Sequence, residues 1–159
     1  MDYFEGVVTD YLSADRAMFV NPQCRIQLNA GDTPNKGEHW YCDILAVNFR
    51  QSTAYLCEVT LSKNVAALDK RLREWSAHWL SIRGALARDN FIPASWDVRP
   101  WVFVPKDHEE LASRKLSQFL NPNGGREQMP QPLVTFLEDV TPWKYETPRR
   151  PPYPGDTTT

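Results

Sequence analysis

Two carboxylates, Asp43 and Glu58, each stand in an otherwise apolar run within YCDILAVNFRQSTAYLCEVT, residues 41–60. An acid is expensive to bury unless it is paired, hydrogen-bonded or bound to a metal. The two runs read as strands near 40–48 and 53–61, with a turn on residues 49–52. Pairing them as a hairpin sets Asp43 opposite Glu58, Leu45 opposite Leu56 and Val47 opposite Ala54. The other face then carries Ile44 opposite Cys57 and Ala46 opposite Tyr55, so both faces are apolar and the hairpin belongs inside a sheet. A slip of one residue would send the two acids to opposite faces. Facing carboxylates repel, more so where water does not screen them. A hard divalent cation removes that repulsion, and Mg²⁺ commonly uses one or two carboxylates with waters and a substrate phosphate. Such an ion suits hydrolysis at phosphorus. The alternative is two structural acids, each satisfied by backbone donors or a nearby arginine.

Other elements must position this pair. A chain of 159 residues, 42% hydrophobic and 24% charged, is expected to fold as one domain over residues 1–140, followed by a Pro-rich extended or disordered tail at 141–159. The net charge of −2 excludes a protein that coats nucleic acid with its whole surface. No apolar run approaches a membrane span, the N-terminus lacks a secretory layout, and three cysteines without metal spacing read as buried thiols, so a cytoplasmic protein is expected. Apolar spacing predicts a helix over 3–14, a strand over 23–29 and a loop over 31–39. Asn64 is a predicted N-cap for a long helix running to about residue 88. Its stripe is Val65, Leu68, Leu72, Trp75, Trp79, Ile82 and Leu86. A strand at 101–105, a helix at 107–120 and a strand at 133–140 follow. The order α-β-β-β-α-β-α-β predicts an α/β fold, a mixed central sheet flanked by helices.

An α-β-β-β-α-β core with Asp on the second strand and Glu on the third resembles the PD-(D/E)xK, or restriction-endonuclease-like, nuclease superfamily. That fold is shared by many restriction endonucleases, Holliday-junction resolvases and repair exonucleases. The matching residues are Asp43 in CDIL and Glu58-Val59-Thr60, and the resemblance covers roughly residues 3–105. It implies that Asp43 and Glu58 bind Mg²⁺ or Mn²⁺ with help from the Val59 carbonyl, and that Glu5 on the first helix is a further ligand in some members. It implies a phosphodiester hydrolase acting on nucleic acid, DNA before RNA. The sequence departs from the pattern at Thr60, which holds the place of the motif lysine and carries no charge. The positive charge must then come from elsewhere. Lys63 lies just beyond the strand, and Lys70, on the polar side of the long helix, is slightly favoured.

Residues 63–88 hold six bases (Lys63, Lys70, Arg71, Arg73, Arg83, Arg88) against Asp69 and Glu74. This patch could grip a phosphate backbone without reading sequence, with Lys70, Arg71 and Arg73 nearest the proposed site. His78 lies close to the same face as a proton-transfer candidate. Two further readings compete with an active nuclease. One is a catalytically degenerate nuclease fold that binds nucleic acid or protein, which Thr60 favours. The other is an interaction protein using Trp96, Trp101, Trp143 and the Pro-rich tail, where RRPPYP at 149–154 could dock a protein partner.

Overall fold

The structure is a computed structural model that describes residues 2–29, 39–61, 65–120 and 126–145. Of the predicted loop at 31–39, residues 31–38 lie outside the described residues and His39 opens a strand; Lys63, Asn64 and the tail from residue 146 also lie outside them. Helix α1 spans Tyr3–Ser13, and strands β1 (Met18–Gln27), β2 (His39–Asn48) and β3 (Thr53–Val59) follow. Helices α2 (Ala66–Ala77) and α3 (Trp79–Asp89) cross over to β4 (Asp97–Val104). Helix α4 (Glu109–Leu116), entered through a 3₁₀ turn at Lys106–His108, leads to β5 (Leu133–Phe136).

The sheet order is β1-β2-β3-β4-β5. The first three strands pair antiparallel and the last two join in parallel, each after a helical crossover. This is the mixed sheet expected from the element order. Helices cover both faces. Val7, Val8 and Leu12 of α1 pack on one side with Ile44, Ala46 and Cys57. Leu68, Leu72, Trp75, Trp79, Ile82 and Leu86 pack on the other with Leu45, Ala54 and Leu56. All seven residues of the predicted helical stripe are buried.

Strand β1 begins at Met18 rather than at residue 23 and β4 at Asp97 rather than at residue 101, and three further expectations need correction. The long helix is two helices. At His78 the backbone leaves the helical region (φ −118°, ψ 27°), yet the stripe continues across the break. The described N-cap of α2 is Val65, in the left-handed region at φ 47° and without a side-chain cap bond. The last strand stops at Phe136, and Leu137–Asp139 turns as 3₁₀. The β2–β3 turn is as expected: Asn48, buried, accepts from the Gln51 N–H at 3.0 Å, and Ser52 takes a positive φ of 52° to close it.

At the start of α1, the Asp2 side chain accepts the Glu5 N–H at 2.8 Å and Glu5 reaches back to the Asp2 N–H, a capping box. Asp2→Ala is expected to lower stability by about 1 kcal/mol, the usual loss for a cap. Denaturant midpoints that coincide for the two proteins would show that α1 does not depend on this box.

Candidate metal and phosphodiester site

The hairpin register is the expected one. Ile44 pairs with Cys57, Leu45 with Leu56 and Val47 with Ala54. The ladder stops at Ile44–Cys57, one step before the acids. The next step of the same register faces Asp43 with Glu58. In place of a ladder bond there, the Asp43 carboxylate accepts the Val59 N–H at 2.8 Å.

β1 is irregular at the same point. Pro22 pairs with Ile44 and Cys24 with Cys42, but Gln23 between them has φ 54° and drops out of the ladder. Both strands change faces here. Met18 and Val20 pack with Ile44 and Ala46 on the α1 side, whereas Cys24, Ile26 and Cys42 pack on the α2 side. Each side chain that alternation would send one way is turned by this irregularity, as at a bulge. Asp43 sits at the point of reversal. Gln23 is held there by α1, since its Nε2 donates to the Glu5 carboxylate at 2.8 Å.

Glu58 is 7% exposed. Its Oε1 accepts from Arg71 Nη1 at 2.9 Å, and the same nitrogen donates to the Tyr41 carbonyl. Burial raises the Glu58 pKa most, the charge of Asp43 raises it further, and Arg71 pulls it back, leaving it pushed up to about 8. Asp43 is also raised, first by burial. The Val59 N–H opposes that rise, while Glu5 and Asp2 add to it. Both acids therefore lie in surroundings that penalise their charge, a penalty that a cation between β2 and β3 would relieve. The donor set fits a hard divalent ion: two carboxylates on neighbouring strands, at the C-terminal end of a strand in the parallel part of the sheet, where open α/β sheets take their ligands.

The other predicted residues distribute unevenly. Glu5 is drawn toward the pair, near enough to raise Asp43, but its carboxylate is engaged by Gln23 and the α1 cap. Among the described residues no three His, Cys, Asp or Glu side chains converge as a metal set. Thr60 continues the β3–β4 ladder, its N–H donating to the Phe103 carbonyl at 3.0 Å. Lys70 points away: its side chain is 79% exposed and its Nζ lies 4.0 Å from Glu74 on the same helix. Arg73 pairs with Asp69 at 2.9 Å, again along α2. Arg83 donates to the Ala94 and Trp96 carbonyls, and Arg88 to Asp89 and the Gln27 carbonyl, so these two brace loops beyond the site. His78 stacks edge-on against Trp40, with centroids 5.1 Å apart, at the helix break.

Sequence reasoning missed two contributors. Gln23 carries no charge and announces nothing. Arg71 was singled out only as a backbone-binding base, yet it reaches the acid pair. A signal for it did exist. At 100° per residue Arg71 flanks the buried stripe, about 60° from its centre, while Lys70 lies almost opposite. All three cysteines are free and buried, as expected. Among the described residues no helix is long and apolar enough to cross a membrane.

No family model matches the chain, and no curated protein matches it. A solved structure of an XisH family protein from Nostoc punctiforme PCC 73102 aligns with it at a TM-score of 0.46 and 13% sequence identity, over 88% of this chain and 95% of that one.

Proposed function

We propose that the chain is a metal-dependent nuclease-like protein of the PD-(D/E)xK type that hydrolyses phosphodiester bonds in nucleic acid, DNA foremost. The observation that carries this reading is the buried Asp43–Glu58 pair, set at a break in the β2 ladder and raised in pKa by burial and mutual charge. Perturbed acids of this kind cluster at functional sites. Asp43 and Glu58 would hold Mg²⁺ or Mn²⁺, with the Val59 carbonyl as a further oxygen donor. The chemistry such an ion supplies is a more acidic bound water and a polarised phosphoryl oxygen. The Val59 N–H holds one Asp43 oxygen and fixes the carboxylate's direction. Arg71, rather than Lys70 or Lys63, supplies the positive charge that Thr60 lacks. It is the described base in contact with the pair, and its guanidinium can turn from Glu58 toward a phosphate, which it fits bidentately.

The assay is cleavage of single- and double-stranded DNA with Mg²⁺ or Mn²⁺. Arg71→Ala is expected to lower the rate about 10²–10³-fold, the usual loss of one preorganised charge at a transition state. Arg71→Lys should recover part of it, and Lys70→Ala should change little. Cleavage that survives Glu58→Ala, or Arg71→Ala at the wild-type rate, defeats this reading.

A second reading has its own support. Arg71 already contacts Glu58 at 2.9 Å, and the motif position is Thr60. A nuclease fold that has lost its chemistry and binds nucleic acid or protein would keep this internal pair. An inert wild type that gains activity on Thr60→Lys selects it.

A further inference from the structure

At the other end of β3 and β4 lies a recess of about 290 Å³, lined by Thr53, Tyr55, Arg83, Asp97 and Arg99 among others. Thr53 and Asp97 are the first pair of the β3–β4 ladder, so the recess opens at the N-terminal ends of these strands. Tyr55 packs with the α1-side cluster, whereas Glu58 faces Arg71 of α2. Three residues of strand, about 10 Å, separate Tyr55 in the recess from Glu58.

Arg83 and Arg99 line this recess, and Arg126 stands beside Arg83. Arg83 Nη2 donates to the Ala94 carbonyl at 3.0 Å and the Trp96 carbonyl at 2.7 Å. Arg126 Nη2 donates to the Ser95 carbonyl between them at 2.9 Å. Arg99 Nε donates to the Gln131 carbonyl at 2.8 Å. Consecutive carbonyls of one segment thus seat two guanidinium groups beside each other. Arg83 is lowered in pKa, first by burial and then by the charge of Arg126. Carbonyls anchor these side chains but cancel none of their charge. Among the described residues no carboxylate lies within ion-pair distance of any of the three. Asp97 is the one acid in the lining, so with Arg83 and Arg99 the recess carries +1, and Arg126 beside Arg83 brings the cluster to +2. Each guanidinium has five N–H donors, and these bonds use only one nitrogen of each, so several donors per arginine remain for a ligand.

We propose that Arg83, Arg99 and Arg126 form a binding site for a phosphate monoester, separate from the Asp43–Glu58 site. A monoester dianion matches the +2 charge, and its three terminal oxygens suit three planar donor forks. The recess admits the phosphate and a small attached group, so the ligand is either a free phosphorylated small molecule or the phosphorylated end of a strand.

The test is calorimetric titration of the full chain, without divalent metal, at constant ionic strength. The ligands are inorganic phosphate, a 5′-mononucleotide, and one short oligonucleotide carrying either a 5′-phosphate or a 5′-hydroxyl. The expected result is monoester binding in the millimolar range or tighter, weakened at least about tenfold by Arg99→Gln and by Arg126→Gln. Arg114→Gln, which removes the same charge from the exposed face of α4, should leave it unchanged. Preference for the 5′-phosphate oligonucleotide over the 5′-hydroxyl form identifies a strand end as the ligand, and binding of the mononucleotide alone identifies a small molecule. Should the arginine variants unfold, the wild-type amide resonances of Tyr55, Val98 and Arg99 must still shift on addition of phosphate. Absence of monoester binding at about 10 mM, equal weakening by Arg114→Gln, or unmoved resonances at these residues overturns the proposal.

Discussion

Glu58→Gln is expected to make the metal-free protein more stable than the wild type at pH 8–9 and to flatten its stability profile between about pH 5 and 8. The Glu58 pKa is pushed up to about 8 from an ordinary value of 4.5, chiefly by burial and then by Asp43. Between those values the folded protein keeps a proton that the unfolded chain has released. The protonated acid's contribution is therefore complete below about pH 4.5 and is lost as pH rises through about 8. The loss approaches 1.4 kcal/mol per pH unit for this one group. Glutamine imitates the protonated acid at every pH and so removes the slope. Urea unfolding at half-unit intervals from pH 5 to 9 measures it, and parallel curves for the two proteins would show that Glu58 titrates normally. Millimolar Mn²⁺ is expected to restore stability above pH 7 in the wild type alone, because an ion held by both acids favours the form that burial disfavours.

The second large effect is in the core. Trp75 is fully buried beneath the sheet, between Leu72 and Trp79 on the helical stripe. Truncating a buried tryptophan to alanine removes its transfer free energy and leaves a cavity, together about 3–5 kcal/mol. One term works against this. The Trp75 indole N–H finds no acceptor among the described residues, and an unpaired buried donor itself costs about 1–3 kcal/mol. Trp75→Ala is thus expected near the lower end, about 3 kcal/mol. Trp75→Phe, which deletes the orphan donor and keeps most of the ring, should cost much less. Equal losses for the two variants in denaturant unfolding would show that the N–H has a partner after all.

These expectations rest partly on features that were legible in the sequence. The hairpin register could be read because both faces are apolar and a turn on residues 49–52 sets the two acids opposite each other. The helical stripe survived because burial selects the spacing of Leu68, Leu72, Trp75, Trp79 and Ile82 whether or not the backbone bends at His78. That bend carries no Pro or Gly, so local composition gives no sign of it; it follows from how α2 and α3 lie on the sheet. The reversal of faces at Gln23 and Asp43 was equally hidden. Strand alternation is a two-residue rule, and one residue at φ 54° in the neighbouring strand breaks it. The contact of Arg71 with Glu58 was legible in principle from its angle to the stripe, which sets Arg71 beside the buried face while Lys70 lies almost opposite. Contacts that join distant segments, such as Gln23 with Glu5, are set by packing and leave no spacing to read.

The irregularity in β1 also bears on assembly. Among the described residues β1 is an edge strand, and an edge normally offers a continuous row of N–H and C=O groups on which another chain can add a strand. Here Pro22 lacks an N–H, and Gln23 in the left-handed region turns its peptide out of line. The free edge is cut into two short pieces, on either side of residues 22–23, neither long enough to template a partner strand. The two residues beside the gap at Asp43 therefore guard the sheet against growing sideways into fibres. Restoring a regular strand, for example with Pro22→Val and Gln23→Thr together, would open this edge to self-association.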